Sequence, residues 1–233
     1  MTTDASREPT SQSELQAAAM FGAALPQARA YARLLTEVGT ERGIVGPSEA
    51  ARIWDRHLLN CGVISRLIPA HRSIVDLGSG AGLPGIVLAM LLPRARVTLV
   101  EPMARRVEFL EECVAALGLQ NAEVLRGRGE ELAGKLSADV VTSRAVAPLD
   151  RLASLSVGLA RTGGRVLAMK GASAPAELAQ ARPALARLGI SDARVEVARS
   201  PDGAVSATLV TFTVPAHRGR RPDRRASSRH QSG

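Results

Sequence analysis

The sequence predicts an α/β protein with an open, mostly parallel sheet of seven strands and a helical N-terminal extension. From residue 73 onward, short β-rich runs alternate with segments of helical periodicity, as five strand–helix repeats followed by two closing strands. Residues 13–71 instead carry apolar side chains at helical spacing and show no strand-like alternation. A parallel sheet needs helices on both of its faces, and the repeats supply them.

The chain is expected to divide into four segments: a flexible leader over residues 1–12, the helical extension over 13–71, the α/β domain over 72–215, and a basic, disordered tail over 216–233. Within the extension, Pro26 separates two helical segments, and a third helix is expected to begin near Ser48, a suitable N-cap residue. The leader is polar and lacks the apolar core of a signal peptide. The longest apolar run, residues 86–92, is far shorter than the roughly 20 residues that span a bilayer. We therefore expect a cytoplasmic protein that does not enter the membrane.

Each element of the α/β domain follows from its local pattern. The clearest helix is predicted at 103–117, because Met103, Val107 and Leu110 begin an apolar stripe that Gly118 can end as a C-cap. Short apolar runs bounded by turn residues predict the strands. The predicted strands are 73–77, 97–100, 123–125, 139–142, 165–169, 194–198 and 207–214, and the other predicted helices are 84–92, 149–159 and 175–188.

The net charge of +8 is unevenly distributed. Residues 216–233 hold six Arg and one Asp, so +5 of the total lies in this final segment. Such a tail is attracted to polyanions such as RNA, although the composition also suits a solubilising end without a partner. The five aromatic residues are too few for a module that stacks several bases on a sheet. The two cysteines, Cys61 and Cys113, are far apart and form no metal-ligand or disulfide pattern, so no metal site is expected.

The strongest motif is a glycine-rich loop, VDLGSGAGLPG at residues 75–85, placed between the first strand and the following helix. Its glycines allow a tight turn and a close approach of backbone to a ligand. In one phase, Gly80, Gly82 and Gly85 fit the dinucleotide fingerprint, which binds a pyrophosphate at a helix N-terminus. In the other phase, Asp76 precedes Gly78-x-Gly80-x-Gly82, and a carboxylate there suits the ammonium of S-adenosylmethionine better than an anion. We interpret the loop as an S-adenosylmethionine site, with an NAD site and a purely structural turn as alternatives.

Two further positions fit a nucleoside cofactor. Glu101 ends the second strand, 23 residues after Gly78, where a carboxylate can accept the ribose hydroxyls of either cofactor. Gly129 and Glu130 follow the third strand, in a loop that commonly meets the adenine edge in methyltransferases of this class. Taken alone, Glu101 also fits a solvated strand end, and Gly129-Glu130 fits a plain helix start with a favourable acidic residue.

Together these residues resemble the bacterial small-subunit ribosomal RNA guanine-N7 methyltransferases, also called the glucose-inhibited division protein B family. The resemblance covers roughly residues 48–170, and its specificity comes from the combination of segments. It implies a Rossmann-like class I methyltransferase fold, S-adenosylmethionine as cofactor, and methylation of a guanine N7 in 16S ribosomal RNA, in the decoding region. The matching segments are Trp54-Asp55-Arg56-His57, the loop at 76–85, Glu101 with Arg105 and Arg106, Gly129-Glu130, Ser143-Arg144-Ala145 and Met169-Lys170-Gly171.

Carried over by position, the resemblance assigns five residues to the cofactor site. It implies that Gly78 and Leu83 line the site, and that Gly129 and Glu130 hold the adenine region. It also implies that Arg144 reaches the cofactor or substrate pocket from the end of the fourth strand. The chain departs from the family pattern in its basic tail and in carrying Asn-Cys at residues 60–61, where many members are expected to carry Asp-Ser.

The chemistry implied for guanine N7 needs no general base, because N7 has a lone pair and no proton. The enzyme must align N7 with the sulfonium methyl group and exclude water. Arg144 and Lys170 follow neighbouring predicted strands at the edge where open α/β sheets bind ligands, so we expect them to position a phosphate or the guanine O6. Arg56 and His57 are expected to extend this positive rim as RNA-binding residues. The alternatives are ordinary surface charge for Arg144 and Lys170 and an ordinary helix histidine for His57.

Other functions leave signatures that differ from this sequence. An NAD-dependent oxidoreductase with a Tyr-x-x-x-Lys pair is not supported, because the single tyrosine, Tyr31, precedes the α/β domain. A non-catalytic ribosome-binding protein would need neither the glycine loop nor Glu101. Methylation of exocyclic amines usually carries an Asp/Asn-Pro-Pro-aromatic run after the fourth strand, where this chain reads SRAVAP at 143–148. The expected partner is 16S ribosomal RNA or the 30S subunit, and the protein is expected to be a monomer.

Overall fold

A seven-stranded sheet forms the centre of the protein, as the strand pattern predicts. The computed structural model describes residues 11–216, and the predicted leader before residue 11 and tail after residue 216 lie outside the described residues. The strands are β1 (Ser73–Leu77), β2 (Arg96–Glu101), β3 (Ala122–Arg126), β4 (Ala138–Arg144), β5 (Ala160–Lys170), β6 (Arg194–Arg199) and β7 (Ser206–Thr213).

The strand order is β3-β2-β1-β4-β5-β7-β6. Strands β1 to β5 pair in parallel, whereas β7 is antiparallel to both β5 and β6. The chain builds outward from β1 to β3 and then returns to place β4 on the other side of β1, so the direction of winding switches between β1 and β4. Such a switch point opens a crevice beyond the carboxyl ends of the strands. The glycine loop, which follows β1, lies at this crevice.

Helices cover both faces of the sheet. The helices predicted at 84–92, 103–117, 149–159 and 175–188 are confirmed to within one residue at each end. The helices of the α/β domain are numbered after the five of the extension: α6 (Gly85–Leu91), α7 (Ala104–Ala116), α8 (Gly129–Leu132), α9 (Leu149–Leu159) and α10 (Ala174–Arg187).

The N-terminal extension is helical, as predicted, but its second half is broken into short pieces. Its third predicted helix begins at Pro47 with Gly46 as N-cap, not at Ser48, because proline suits the first helical position. Pro26 lies in the first turn of the helix Leu25–Thr36, which follows the helix Ser11–Phe21, so it marks the boundary between two helical segments, as predicted. A π-helical stretch, Ile53–Leu58, follows. The α-helices of the extension are α1 (Ser11–Phe21), α2 (Leu25–Thr36), α3 (Val38–Glu41), α4 (Pro47–Ala50) and α5 (Leu59–Gly62).

Two apolar clusters lie on the two faces of the sheet. One joins the extension to α6 and α7, with Tyr31 of α2 and Ile86 of α6 both fully buried in it. The other packs α9 and α10 against the sheet, with Leu152 and Leu178 among its members. The extension therefore shares a core with the sheet, which fixes its helices beside the glycine loop. Within residues 11–216, no helix is both long and apolar enough to cross a membrane.

Candidate active site

A cavity of about 300 Å³ lies at the carboxyl ends of β1, β2 and β3, beside the loop that follows β4. Four predicted cofactor residues line it: Gly78, Glu101, Gly129 and Glu130. Another cavity, of about 370 Å³, lies at the opposite edge, around the amino ends of β1 and β2, and its lining includes none of the predicted site residues. The first cavity lies at the switch point of the sheet and is therefore the candidate cofactor site.

Gly78 lies where the glycine loop approaches the loop after β4 most closely. Its φ of +68° lies in the left-handed region, which favours glycine. A Cβ at this position would stand 2.7 Å from Cγ2 of Val146, a residue of the cavity wall. Any side chain at position 78 would therefore strain the backbone and displace part of the wall.

Glu101 ends β2 and contributes to the cavity wall although it is only 2% exposed. Its Oε2 accepts the backbone N–H of Gly80 at 2.9 Å, and its Oε1 accepts the N–H of Met103 at 3.0 Å. Each carboxylate oxygen has a second lone pair, so both retain capacity for a further donor. Glu101 thus ties the glycine loop to the start of α7, a structural role that the sequence analysis missed.

Asp76 lies in β1 with its side chain fully buried. Its Oδ2 accepts the N–H of Gly85, the first residue of α6, at 2.9 Å. Its Oδ1 is buried and has no hydrogen-bond partner among the described residues. Burial raises the pKa of Asp76 to about 7. Asp76 does not line the cavity, so its predicted contact with a cofactor ammonium stays a prediction.

The remaining residues of the glycine loop lie next to the extension. A Cβ on Gly82 would stand 2.7 Å from the hydroxyl oxygen of Tyr31, and this hydroxyl donates to the carbonyl oxygen of Ala81 at 2.6 Å. Leu83 is buried in the core shared with the extension, whereas a Cβ on Gly80 would stand 3.8 Å from the carbonyl oxygen of Gly78, an ordinary contact distance. None of Gly80, Gly82 and Leu83 lines the cavity, so their cofactor contacts stay predictions.

Tyr31 is a residue of this site that the sequence analysis missed. It is fully buried in α2, some 50 positions before the loop whose backbone it holds. The only available signal was its place on the apolar side of α2 with Ala28 and Leu35, and that pattern indicates burial rather than a contact with the glycine loop.

Gly129 and Glu130 form the start of α8 as well as part of the cavity wall. A Cβ on Gly129 would stand 2.9 Å from Cδ1 of Leu77, so glycine lets the helix approach β1 closely. Glu130 is exposed, and its Oε1 accepts a hydrogen bond from Nη2 of Arg151 at 3.1 Å. Within the part of the chain that the structure describes, no three His, Cys, Asp or Glu side chains are close enough together to hold a metal ion.

Arg144 ends β4 with its side chain directed at the extension. Its Nη2 is hydrogen-bonded to Nδ1 of His57, and its Nη1 donates to Sγ of Cys61 at 3.5 Å. The next residue, Ala145, lines the cavity with a φ of +54°, which is uncommon for a residue other than glycine. Arg144 thus lies between the cavity wall and the extension, and it is not itself among the lining residues.

The structure revises the role expected of His57. Its ring is only 7% exposed, and its Nε2 lies 2.7 Å from Oε2 of Glu49 in α4. Burial, together with the charge of Arg144, lowers the pKa of His57 to about 4, so the ring is neutral at pH 7. His57 therefore contacts protein groups and does not extend an exposed positive rim. Its neighbour Arg56 is exposed, and the RNA-binding role of Arg56 stays a prediction.

The single positive rim predicted for Arg144 and Lys170 is also corrected by the structure. Arg144 pairs in register with Met169, and because side chains alternate along a strand, Lys170 faces the opposite side of the sheet. The Lys170 side chain is only 9% exposed. Its Nζ lies 2.7 Å from Oε2 of Glu177 in α10 and donates to the carbonyl oxygen of Ala147 at 3.0 Å. Lys170 therefore binds the loop after β4 from the α10 side of the sheet and does not present a free charge.

Replacing Lys170 with Met is expected to lower the free energy of unfolding by about 1–3 kcal/mol, because the change leaves the Glu177 carboxylate and the Ala147 carbonyl without their donor. Thermal melts measure this loss. Lys135→Met is a matched control, since Lys135 is exposed. Equal melting temperatures for the two variants would show that the contacts of Lys170 contribute nothing to stability.

Comparison with known proteins identifies the family of the chain. A family model described as "GidB: rRNA small subunit methyltransferase G" matches residues 24–205. Proteins named ribosomal RNA small subunit methyltransferase G are similar over most of the chain. The one from Thermobifida fusca is 48% identical over 92% of this chain and 91% of its own length. The one from Salinispora tropica is 46% identical over 98% of this chain and 96% of its own length.

Solved structures show the same fold at low sequence identity. A SAM-dependent O-methyltransferase from Thermotoga maritima matches with a TM-score of 0.52 and 16% identity, over 68% of this chain and 65% of that one. A precorrin-6y C5,15-methyltransferase from Geobacter metallireducens matches with a TM-score of 0.51 and 14% identity, over 66% of this chain and 87% of that one. The fold is thus that of class I methyltransferases, and because the family model spans both the extension and the cavity, the chain belongs to the GidB family of small-subunit ribosomal RNA methyltransferases.

Proposed function

We propose that the protein transfers a methyl group from S-adenosylmethionine to N7 of a guanine in 16S ribosomal RNA. The observation that carries this proposal is the cavity at the switch point, whose wall combines Gly78, Glu101, Gly129 and Glu130. The GidB resemblance expects the cofactor at Gly78, Gly129 and Glu130, and the end of the second strand predicts Glu101 as the ribose contact. The family model matches residues 24–205, and membership of that family supports small-subunit ribosomal RNA as the substrate class.

The residues of the cavity fit S-adenosylmethionine. Glu101 accepts the two backbone N–H groups, and its Oε2 also lies 3.9 Å from Nη1 of Arg106, yet each carboxylate oxygen has a second lone pair that can accept a ribose hydroxyl. Gly78 has no side chain and lets a ligand approach the backbone after β1. Gly129 and Glu130 would hold the adenine, with the backbone at the start of α8 and the Glu130 carboxylate as its polar groups. When bound, the cofactor supplies a methyl group on a positively charged sulfur.

The protein groups have a positioning task in this reaction. Guanine N7 brings its own lone pair, so no residue has to remove a proton. What remains is to hold the base in line with the methyl group and to keep water out, which accounts for a large part of the rate in reactions of oriented partners. Arg144, at the edge of the cavity, is the proposed contact for the guanine O6 or an adjacent phosphate.

The site supports neither an NAD-dependent oxidoreductase nor a non-catalytic ribosome-binding protein. The Tyr31 hydroxyl is buried against Ala81 and is therefore not available for proton transfer to a substrate. A non-catalytic ribosome-binding protein would have no use for a buried carboxylate that ties a glycine loop to a cavity wall. We propose 16S ribosomal RNA or the 30S subunit as the partner, with the protein acting as a monomer in the cytoplasm.

The function is tested by mapping N7-methylguanine in 16S ribosomal RNA from cells with and without the gene, followed by restoration with the wild-type gene. One modified guanine that disappears and returns with the gene is the expected result. Calorimetry on the purified protein provides the cofactor test, with saturable binding of S-adenosylmethionine and none of NAD expected. An unchanged modification pattern, or binding of NAD alone, would contradict the proposal.

Removing residues 216–233 is expected to lower RNA affinity without changing cofactor affinity. These residues carry +5 of the net charge, and cationic contacts to phosphate release counterions on binding. The truncated protein should therefore show a shallower dependence of RNA affinity on salt. Fluorescence anisotropy measures this between 50 and 200 mM salt, a range over which the phosphate contacts of the tail should change the RNA affinity roughly ten-fold or more. The same affinity and salt slope in both proteins would identify the tail as a solubilising end.

A further inference from the structure

Three elements meet at the edge of the cavity through a chain of polar contacts centred on the buried His57 side chain. Arg144 stands at the end of β4, His57 in the π-helical stretch Ile53–Leu58, and Glu49 in α4. The guanidinium of Arg144 is bonded to Nδ1 of His57, and Nε2 of His57 lies 2.7 Å from the Glu49 carboxylate. π-Helical turns are rare and occur frequently at functional sites. Here the turn brings the histidine ring between the carboxylate and the guanidinium.

The proton positions in this chain follow from what each group can do. A guanidinium has only donors, so Nδ1 of His57 must accept its N–H. The remaining proton of the neutral ring then lies on Nε2, which donates to the Glu49 carboxylate. Burial and the charge of Arg144 lower the pKa of His57 to about 4, so the ring is neutral, and able to accept, at pH 7.

A second contact also holds the Arg144 guanidinium. Its Nη1 donates to Sγ of Cys61 in α5 at 3.5 Å, and burial raises the pKa of the Cys61 thiol to about 11, so the group stays neutral. Two of the five guanidinium N–H donors are thus used by the extension, and three are left for other partners. A long side chain held at two points is restricted to one orientation, which its own rotamers would not provide.

We propose that the Glu49–His57 pair of the extension is a positioning device that holds the Arg144 guanidinium in the orientation methyl transfer requires. The proposal rests on the function proposed above, in which Arg144 contacts the RNA substrate. His57 is then a positioning residue that acts through Arg144 and contacts neither RNA nor cofactor. Its burial, at 7% exposure, agrees with that role, and it gives the extension a part in the active site.

Two substitutions of His57 separate its contacts. In His57→Asn, the amide oxygen lies near the position of Nδ1 and can still accept from Arg144. In His57→Gln, the amide reaches toward Glu49, and no acceptor remains near Arg144. We expect His57→Gln to lower the single-turnover methylation rate on 30S subunits about ten-fold or more, which is the scale of one charge-assisted hydrogen bond. His57→Asn keeps an acceptor for Arg144 and should lower the rate less than about three-fold. The dissociation constant for S-adenosylmethionine should be unchanged in both.

His57 variants need a control for folding and a control for histidine loss. Thermal melts and the cofactor dissociation constant report whether each variant is folded. His71→Gln is the matched control, since His71 is exposed. Equal rates for the Asn and Gln variants of His57, whether both are slow or both like wild type, would overturn the proposal.

A second measurement tests the positioning directly, without RNA. The guanidinium ¹⁵N–¹H resonance of Arg144, assigned by its loss in Arg144→Lys, should exchange slowly with water in the wild type and in His57→Asn. It should exchange faster and broaden in His57→Gln. A resonance unaffected by His57→Gln would overturn the proposal even with a methylation defect. A wild-type protein that holds Arg144 in this way but modifies no ribosomal RNA would contradict the proposed function and leave the positioning intact.

Discussion

Glu101→Ala is expected to raise the dissociation constant for S-adenosylmethionine by roughly ten- to a hundred-fold. Among the described residues that line the cavity, Glu101 is the only buried acidic one, at 2% exposure, and hydrogen bonds to a charged group contribute about 1.5–3 kcal/mol. The substitution also leaves the N–H groups of Gly80 and Met103 without their acceptor. It should therefore lower the free energy of unfolding by roughly 2–6 kcal/mol, at about 1–3 kcal/mol for each of the two orphaned donors.

The two effects of Glu101→Ala are measured separately. Isothermal calorimetry at a temperature well below the melting transition gives the affinity, and thermal melts without cofactor give the stability. Glu101→Gln keeps one acceptor oxygen and should be intermediate in both measurements. Glu111→Ala, on the exposed face of α7, is the control for loss of one negative charge. An affinity equal to wild type in Glu101→Ala would remove Glu101 from the cofactor site and leave it a structural residue only.

Arg144→Ala is expected to lower the single-turnover rate of RNA methylation by roughly ten- to a hundred-fold. A specific contact to the guanine O6 or to an adjacent phosphate, which leaves N7 free to react, contributes about 1–3 kcal/mol, and the loss appears in the rate when the contact orients the reacting base. Arg144→Lys keeps the charge but not the planar fork, and it cannot reach His57 and Cys61 together. We therefore expect Lys to restore little of the activity.

The effect of Arg144 on chemistry must be distinguished from a loss of charge or of stability. Arg187→Ala removes the same charge from the exposed end of α10, so it controls for general attraction to RNA. Arg144→Ala leaves Nδ1 of the buried His57 without its donor, so thermal melts should show a loss of about 1–3 kcal/mol, and the methylation rate is measured well below the melting transition. A wild-type methylation rate, or a rate loss explained entirely by unfolding, would contradict a role for Arg144 in the reaction.

The strands, the main helices and the position of the cofactor cavity follow from local sequence patterns. A buried parallel strand shows as a short apolar run whatever its neighbours are, and the residues after it lie at the carboxyl edge of the sheet. This is why Gly78, Glu101 and Gly129 were predicted in the site and are found in the wall of one cavity. The broken second half of the extension was not predicted, because the π-helical turn at Ile53–Leu58 has no local pattern that separates it from an α-helix.

The roles of single polar side chains depended on contacts between distant segments. Asp76 and Gly82 belong to the glycine motif, yet one bonds the first turn of α6 and the other gives room to Tyr31, from a helix far earlier in the chain. The hydrogen bond between His57 and Arg144 joins residues 87 positions apart. A motif shows which residue types occur together, but not which of them make internal contacts with distant segments.

The α/β class, the glycine loop after the first strand and the acidic residue after the second can be predicted from the sequence, because they depend on periodicity and on order along the chain. The contacts of the two cations at the sheet edge depend instead on how the strands pair. The sequence of each strand shows which residues alternate between its two faces, but the register between two strands is set only when they pair. The pairing of Arg144 with Met169 places Lys170 on the other face, where it meets Glu177, and leaves Arg144 to the extension. Their charges therefore act on opposite sides of one sheet, since register is a property of two strands together.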